Sequence, residues 1–321
     1  MKTHPVARDT IRIATRSSDL ALWQACFVRD QLRRVAPTAA VEIIHVSTVG
    51  DRDQKGRLQQ FGGLGVFTRE VQKAVLTGDA DLAVHSLKDL PTAVVDGLTL
   101  AGIPPRGAMF DCLVFPADSE HLPTRVTELK PQARIGTGSP RRQAQLRHHR
   151  PDLTLADVRG NVATRLQKLD QGEFDALVLA EAGLIRLGLE HRIGMRLLPP
   201  VLLPAVGQGA LGIECRPDDV WVREQLEAIT DCQTRRSVEA ERSLLAELQA
   251  GCHAPVGVCT QTRDAQVTLD AVVLSPDGQT RLHTSQTTDV ERSVELGPLC
   301  ANDLRRQGAE EWIHPENGPA R

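Results

Sequence analysis

Gly136-Thr137-Gly138-Ser139-Pro140-Arg141-Arg142-Gln143 and Arg159-Gly160-Asn161-Val162-Ala163-Thr164-Arg165 are the two stretches whose reading decides the fold. Each follows a short apolar run that reads as a strand, and each opens a polar stretch that reads as a helix. Strand, turn, helix, repeated twice in thirty residues, is the grammar of an α/β sheet with its turns gathered at one end. Four arginines occupy those turns: Arg141, Arg142, Arg159 and Arg165. Guanidinium forks beside free N–H groups of helix starts make a receptor for carboxylates or phosphates. The expected ligand is a small molecule with several negative charges.

Outward from these turns the alternation continues. Toward the N-terminus, Ile11–Thr15 reads as a strand, followed by a helix to about Val35 with Leu20, Trp23, Phe27 and Leu32 on one face. Val41–Thr48 reads as the next strand, Asp51–Gly65 as a glycine-rich loop, Phe67–Leu76 as a helix and Asp81–Val84 as a buried strand. Around the arginines, strands are expected at Cys112–Phe115, Arg134–Thr137, Leu153–Val158 and Ala176–Leu179. Helices are expected at Arg141–His148, Val162–Leu169 and Glu181–Leu187. Leu197–Pro204 reads as a crossing linker and Ala210–Glu214 as a strand returning to the first lobe. After Cys232 the texture changes to a helix at Thr234–Leu248, a turn at Gly251–Gly257, a hairpin at Val267–Leu274 and Thr280–Thr288, and a last helix at Asp289–Arg306.

Bulk properties narrow the function. A net charge of −3 makes the arginines local features and argues against a broad nucleic-acid-binding face. Aromatics are 3% of residues, with no tyrosine, so a base-stacking platform is not expected. No apolar run reaches the ~18 residues of a membrane span, and Met1–Thr10 lacks the apolar core of a signal peptide. The seven cysteines form no Cys-x-x-Cys pair, so reduced thiols in a cytoplasmic protein are the expectation.

Other chemistry stands at other turns. Val84-His85-Ser86-Leu87-Lys88-Asp89-Leu90-Pro91 ends a buried strand, which places Lys88 and Asp89 where sheet ligands bind. An aspartate there is suited to proton transfer or to stabilising a developing cation; a loop ion pair before a proline is the plainer alternative. His85 reads as a structural histidine. Arg16, after the first strand, adds a cation at an equivalent place in the first lobe. Cys252, between Gly251 and Pro255, reads as an exposed thiol on a tight turn, either a point of covalent attachment or an ordinary surface thiol. Cys26 and Cys112 read as core. Gly207-Gln208-Gly209 reads as a hinge or a close approach to ligand.

Taken together these segments resemble hydroxymethylbilane synthases, also called porphobilinogen deaminases, over nearly the whole chain. The resemblance is carried by Arg12–Arg16, Leu20–Gln24, Ala83–Asp89, Gly136–Gln143, Leu155–Leu166, Ala182–Leu189, Leu203–Cys215 and Gly251–Gly257. It implies an α/β fold of two periplasmic-binding-protein-like lobes with a third, smaller α+β domain. The domains it implies are 1–108 with 207–228, 109–206, and 229–321. It implies a transferase of tetrapyrrole biosynthesis that condenses four porphobilinogen molecules onto a covalent dipyrromethane, releases ammonia at each step, and hydrolyses the product to hydroxymethylbilane.

Under that resemblance Cys252 carries the cofactor thioether. Asp89 is the catalytic acid that binds pyrrole N–H groups and stabilises the cation left by ammonia. Lys88, Ser139, Arg141, Arg142 and Arg165 hold cofactor carboxylates, while Arg16, Arg159, Arg186 and Gln208 serve the substrate. No metal is implied, and a cytoplasmic monomer is. The likeness breaks where the family carries lysines in Lys-x-Gly-Gly-Lys-Gly-Leu-Phe: Gln60 and Leu64 stand there. Val49, Gly138 and Phe110 are further departures, so the chain reads as a divergent member. A non-catalytic two-lobed binding protein for a small polycarboxylate is the competing reading. Asp89 with Cys252 separates the two, because a binder needs neither.

Overall fold

The computed structural model describes residues 9–46, 68–251 and 254–314. Those residues divide into two compact units, one drawn from Met1–Gly107 with Ala210–Arg235, the other from Ala108–Gly209 with Arg236–Arg321. The expected loop at 51–65 and the Cys252 thiol lie outside the described residues.

The first unit is built on a five-stranded sheet. Its strands are β1 (Thr10–Thr15), β2 (Ala40–His45), β3 (Leu82–Ser86), β4 (Thr99–Gly102) and β10 (Leu211–Cys215), in the order β2-β1-β3-β10-β4. β1 runs parallel to β2 and β3, whereas β10 is antiparallel to both its neighbours. A strand that returns from elsewhere in the chain needs no crossover helix and can enter from the opposite end. Helices α1 (Asp19–Val35) and α2 (Arg69–Leu76) cover the sheet. The inward face of α1 is Gln24, Ala25, Val28 and Leu32; of the expected stripe Leu32 is buried, whereas Leu20, Trp23 and Phe27 are not. Trp23 and Phe27 stack on each other at 5.4 Å along its flank, and small Ala25 lets the helix sit close to the sheet.

The second unit repeats this layout. Strands β5 (Asp111–Val114), β6 (Arg134–Gly136), β7 (Thr154–Ala156), β8 (Ala176–Ala180) and β9 (Met195–Leu197) take the order β7-β6-β8-β5-β9. Again the first three are parallel and the fourth, β5, is antiparallel to both neighbours. In each lobe the antiparallel strand follows a change of unit: β5 comes after Gly107 and β10 after Gly209. The repeated topology, two such lobes plus a smaller sheet, is the expected fold class. Helices α3 (Pro140–His149), α4 (Val162–Asp170) and α5 (Glu181–Arg186) follow β6, β7 and β8.

Also in the second unit is an antiparallel sheet of β11 (Val256–Arg263), β12 (Gln266–Leu274) and β13 (Arg281–Asp289). Three helices contribute to its core, α7 (Cys232–Glu247), which follows α6 (Val220–Ala228) of the first unit, α8 (Leu296–Arg306) and the short α9 (Glu310–Ile313). The single last helix expected from the sequence is instead a 3-10 segment at Val290–Glu295 followed by α8, because Arg292 leaves helical geometry. β11 begins inside the stretch expected to be only a turn.

Candidate functional site

In both lobes several sequence-selected residues follow the carboxyl ends of parallel strands, the usual place for ligands of such sheets. In the first unit Arg16 follows β1 and is half-buried. β3 ends at Ser86, and a 3-10 turn, Leu87–Asp89, carries a half-buried Lys88 and an exposed Asp89. The turn is fixed from below: Leu87 N–H donates to the Ala210 carbonyl at 3.0 Å, and buried Gln24 donates to the Ser86 hydroxyl at 2.7 Å. His85 is buried as expected, its Nε2 3.0 Å from Glu214 Oε2, which also accepts from Gln72 at 2.9 Å. A rigid base thus presents a solvent-facing carboxylate.

In the second unit the arginine pair is built quite differently. Ser139 caps α3 and Pro140 takes the first helical position, where its missing N–H has no cost. Arg141 and Arg142 then point inward, at only 5% and 7% exposure. Between them lies fully buried Asp111, the first residue of β5. Arg142 donates through Nε and Nη2 to Asp111 Oδ1 at 3.0 and 2.6 Å, and through Nη1 to the Val178 carbonyl at 2.9 Å. Arg141 Nη1 lies 2.8 Å from Asp111 Oδ2 and donates to the Leu203 carbonyl at 2.6 Å. Burial holds the Arg141 pKa below its ordinary value, opposed by the Asp111 charge.

The remaining cations are looser. Asn161 caps α4 by accepting from Thr164 N–H at 2.9 Å. Arg165, half-buried, donates through Nε to the Gly160 carbonyl at 2.8 Å, and Arg159 is exposed. Gly160, at φ +108°, allows the turn that leads into α4. Arg186 donates to the Gly209 carbonyl at 2.6 Å, and burial lowers its pKa to about 10. Gln208 is buried and donates to the Met109 carbonyl at 2.8 Å. The second unit therefore gathers Ser139, Arg141, Arg142, Arg159, Arg165, Arg186 and Gln208. Arg16, Lys88 and Asp89 belong to the first unit.

Two partners went unseen in the sequence. Asp111 stands alone at the head of the apolar run Asp111–Phe115, a buried-strand position where an acid needs a cation. Gln145, on the inward face of α3, is 2% exposed and was masked by its polar neighbours. The thiols of Cys112, Cys215 and Cys300 are pushed up to about 12 by burial, which makes them poor nucleophiles near neutrality.

One carboxylate facing two buried guanidiniums leaves a positive charge that an acidic ligand group would balance. The donor set therefore fits a cofactor bearing carboxylate side arms. Fold and site define a two-lobed α/β protein with a buried arginine pair in one lobe, a turn carrying an exposed aspartate in the other, and a third α+β part. The model of the porphobilinogen deaminase dipyrromethane cofactor binding domain matches residues 11–224, and that of the porphobilinogen deaminase C-terminal domain matches residues 236–306. The chain belongs to the porphobilinogen deaminase family, whose first domain model is defined by its dipyrromethane cofactor.

Solved structures with local likeness include the VFT2 domain of BvgS from Bordetella pertussis, 14% identical over 68% of this chain and 86% of that one, with a TM-score of 0.43. Holo ArgBP from T. maritima is 13% identical over 69% of this chain and 89% of that one, with a TM-score of 0.37. The periplasmic aliphatic sulphonate binding protein SsuA from Escherichia coli is 10% identical over 76% and 71%, with a TM-score of 0.36. Likeness at this level says nothing of function. Among the described residues no helix is long and apolar enough to cross a membrane.

Proposed function

We propose that this chain is a hydroxymethylbilane synthase acting in tetrapyrrole biosynthesis. It condenses four porphobilinogen molecules in turn onto a dipyrromethane held by Cys252, then hydrolyses the product to hydroxymethylbilane. The observation that carries this reading is the buried pair Arg141 and Arg142 around Asp111, within a chain matched by both family domains. The bound dipyrromethane supplies the free pyrrole α-carbon that is extended. Each porphobilinogen would lose its aminomethyl nitrogen as ammonia together with the α-proton of the terminal ring to which its methylene bonds, so the free α-position passes to the ring last added. Final hydrolysis would give hydroxyl to the product methylene and a proton to the pyrrole carbon left behind.

The chain's own residues divide the work. Asp89, exposed on its turn, accepts and returns the moving proton and faces the charge left by ammonia. The N–H groups of Arg141 and Arg142 not committed to Asp111 and to backbone carbonyls bind cofactor carboxylates, a role shared by Lys88, Ser139 and Arg165. Arg16, Arg159, Arg186 and Gln208 serve the incoming substrate and the lengthening chain. The three-way division at 1–108 with 207–228, 109–206 and 229–321 then separates acid, anion receptor and covalent anchor. A monomer in the cytoplasm completes the reading. Purified protein given porphobilinogen should release one ammonia for each porphobilinogen consumed; consumption without ammonia, or neither, would refute it.

A further inference from the structure

Gly257 is the second residue of β11, five residues after Cys252, and its surroundings are crowded in a specific way. A Cβ there would lie 2.9 Å from Gln145 Nε2, 3.0 Å from Leu203 Cβ and 3.0 Å from the Leu203 carbonyl oxygen. The end of a glutamine side chain ordinarily moves aside at little cost. This one is tied at both atoms: Oε1 accepts from Leu203 N–H at 2.7 Å, and Nε2 donates to the Leu203 carbonyl at 3.1 Å. The same carbonyl accepts from Arg141 Nη1 at 2.6 Å. One residue further on, Val258 N–H donates to the Pro204 carbonyl at 2.8 Å, so the 203–204 segment lies along β11. Ala144, Leu203, Cys259, Val272 and Leu274 close an apolar cluster beneath these contacts.

β11, which follows Cys252 in the chain, is thus seated directly on α3, the helix that carries the arginine pair. We infer that Gln145 is a positioning residue: through Leu203 it sets the register between Arg141 and β11, the strand that follows Cys252 in the chain, and so governs covalent loading of the cofactor. Gly257 is its necessary complement, because only a residue without a side chain lets β11 reach that register. The inference rests on the proposed roles of Cys252 as anchor and Arg141 as cofactor ligand.

The test compares the full-length parent with Gln145→Leu, which keeps bulk but loses both hydrogen bonds, and with Gly257→Ala. Intact mass of the purified proteins reads the fraction carrying a dipyrromethane, and kcat and KM for porphobilinogen are taken per modified molecule. Gln145→Glu, which keeps the acceptor for Leu203 N–H, supplies a milder variant where the others fold poorly. Displacement of reacting groups by an ångström costs one to two orders of magnitude, so loading in Gln145→Leu should slow about tenfold or more. Gln145→Glu should fall between it and the parent. Variants that melt lower yet load as fully as a modified parent would overturn the inference alone, because that is the outcome of a purely structural role. A parent that carries no adduct would instead overturn the functional reading, and the inference with it.

Discussion

The acid turn of the first lobe and the arginine pair of the second each follow a parallel strand of repeated sheets, the one after β3 and the other after β6, yet they are built on opposite principles. Asp89 is exposed on a turn whose base is fixed. Arg141 and Arg142 are buried, each held by Asp111 and a backbone carbonyl. The difference matches the work proposed for each. A group that handles protons through successive additions needs access to solvent and to a changing substrate. A group that grips the same cofactor throughout gains from being preorganised. It follows that the two regions should separate activity from stability when mutated.

The largest effect is expected at the acid. Asp89→Ala should reduce kcat by about 10²–10⁴-fold, the usual range for loss of a proton-transferring group, with an unchanged melting temperature. A turnover loss accompanied by a collapsed melt would break the contrast. Next comes Asp111→Asn, which leaves two buried guanidiniums without their carboxylate. Its cost should be about 3–5 kcal/mol, read as a lowered denaturant midpoint, together with poor cofactor loading. Arg142→Leu should likewise impair loading and stability together, because the residue bridges β5 and β8. Full loading and unchanged kinetics in Arg142→Leu would remove it from the cofactor site.

A smaller effect tests burial by pH. Cys112, Cys215 and Cys300 hold their protons to about pH 12 in the fold, whereas an unfolded thiol ionises near ~8.5. Between those values the folded state binds more protons, so these thiols make stability fall as pH rises and contribute no such dependence at neutrality. With no tyrosine in the chain, thiolate absorbance can follow this directly. Smallest of all should be Gly138→Ser. The nearest atom to a Cβ there is 3.8 Å away, so the change should fit and shift stability by no more than about 0.5 kcal/mol. A larger loss would show that this exposed turn is more constrained than its contacts indicate.

What could be read from the sequence was local. The strand-to-helix turns at Ser139-Pro140 and Asn161 carry their own signals, a cap residue and an N-terminal proline, and both helices start there. The arginines were legible because several cations at helix starts are unusual. Their burial was not, since it depends on Asp111 arriving on an antiparallel strand from a different stretch of chain. Three-residue β9 offers no periodicity, and β4 only four residues. The inward face of α1 misled for a physical reason: against a flat sheet, Ala25 and Gln24 pack closer than Trp23 can. Gln145 was invisible because a buried glutamine bonded to backbone looks, in sequence, like any polar helix residue.

The central claim is that this chain is primed by a covalent dipyrromethane on Cys252. Intact mass of the purified full-length protein, followed by peptide mapping, tests it most directly. The account predicts an excess of one dipyrromethane, located on the peptide containing Cys252, a colour reaction with Ehrlich's reagent, and loss of both in Cys252→Ala. A colourless protein at its unmodified sequence mass would contradict it.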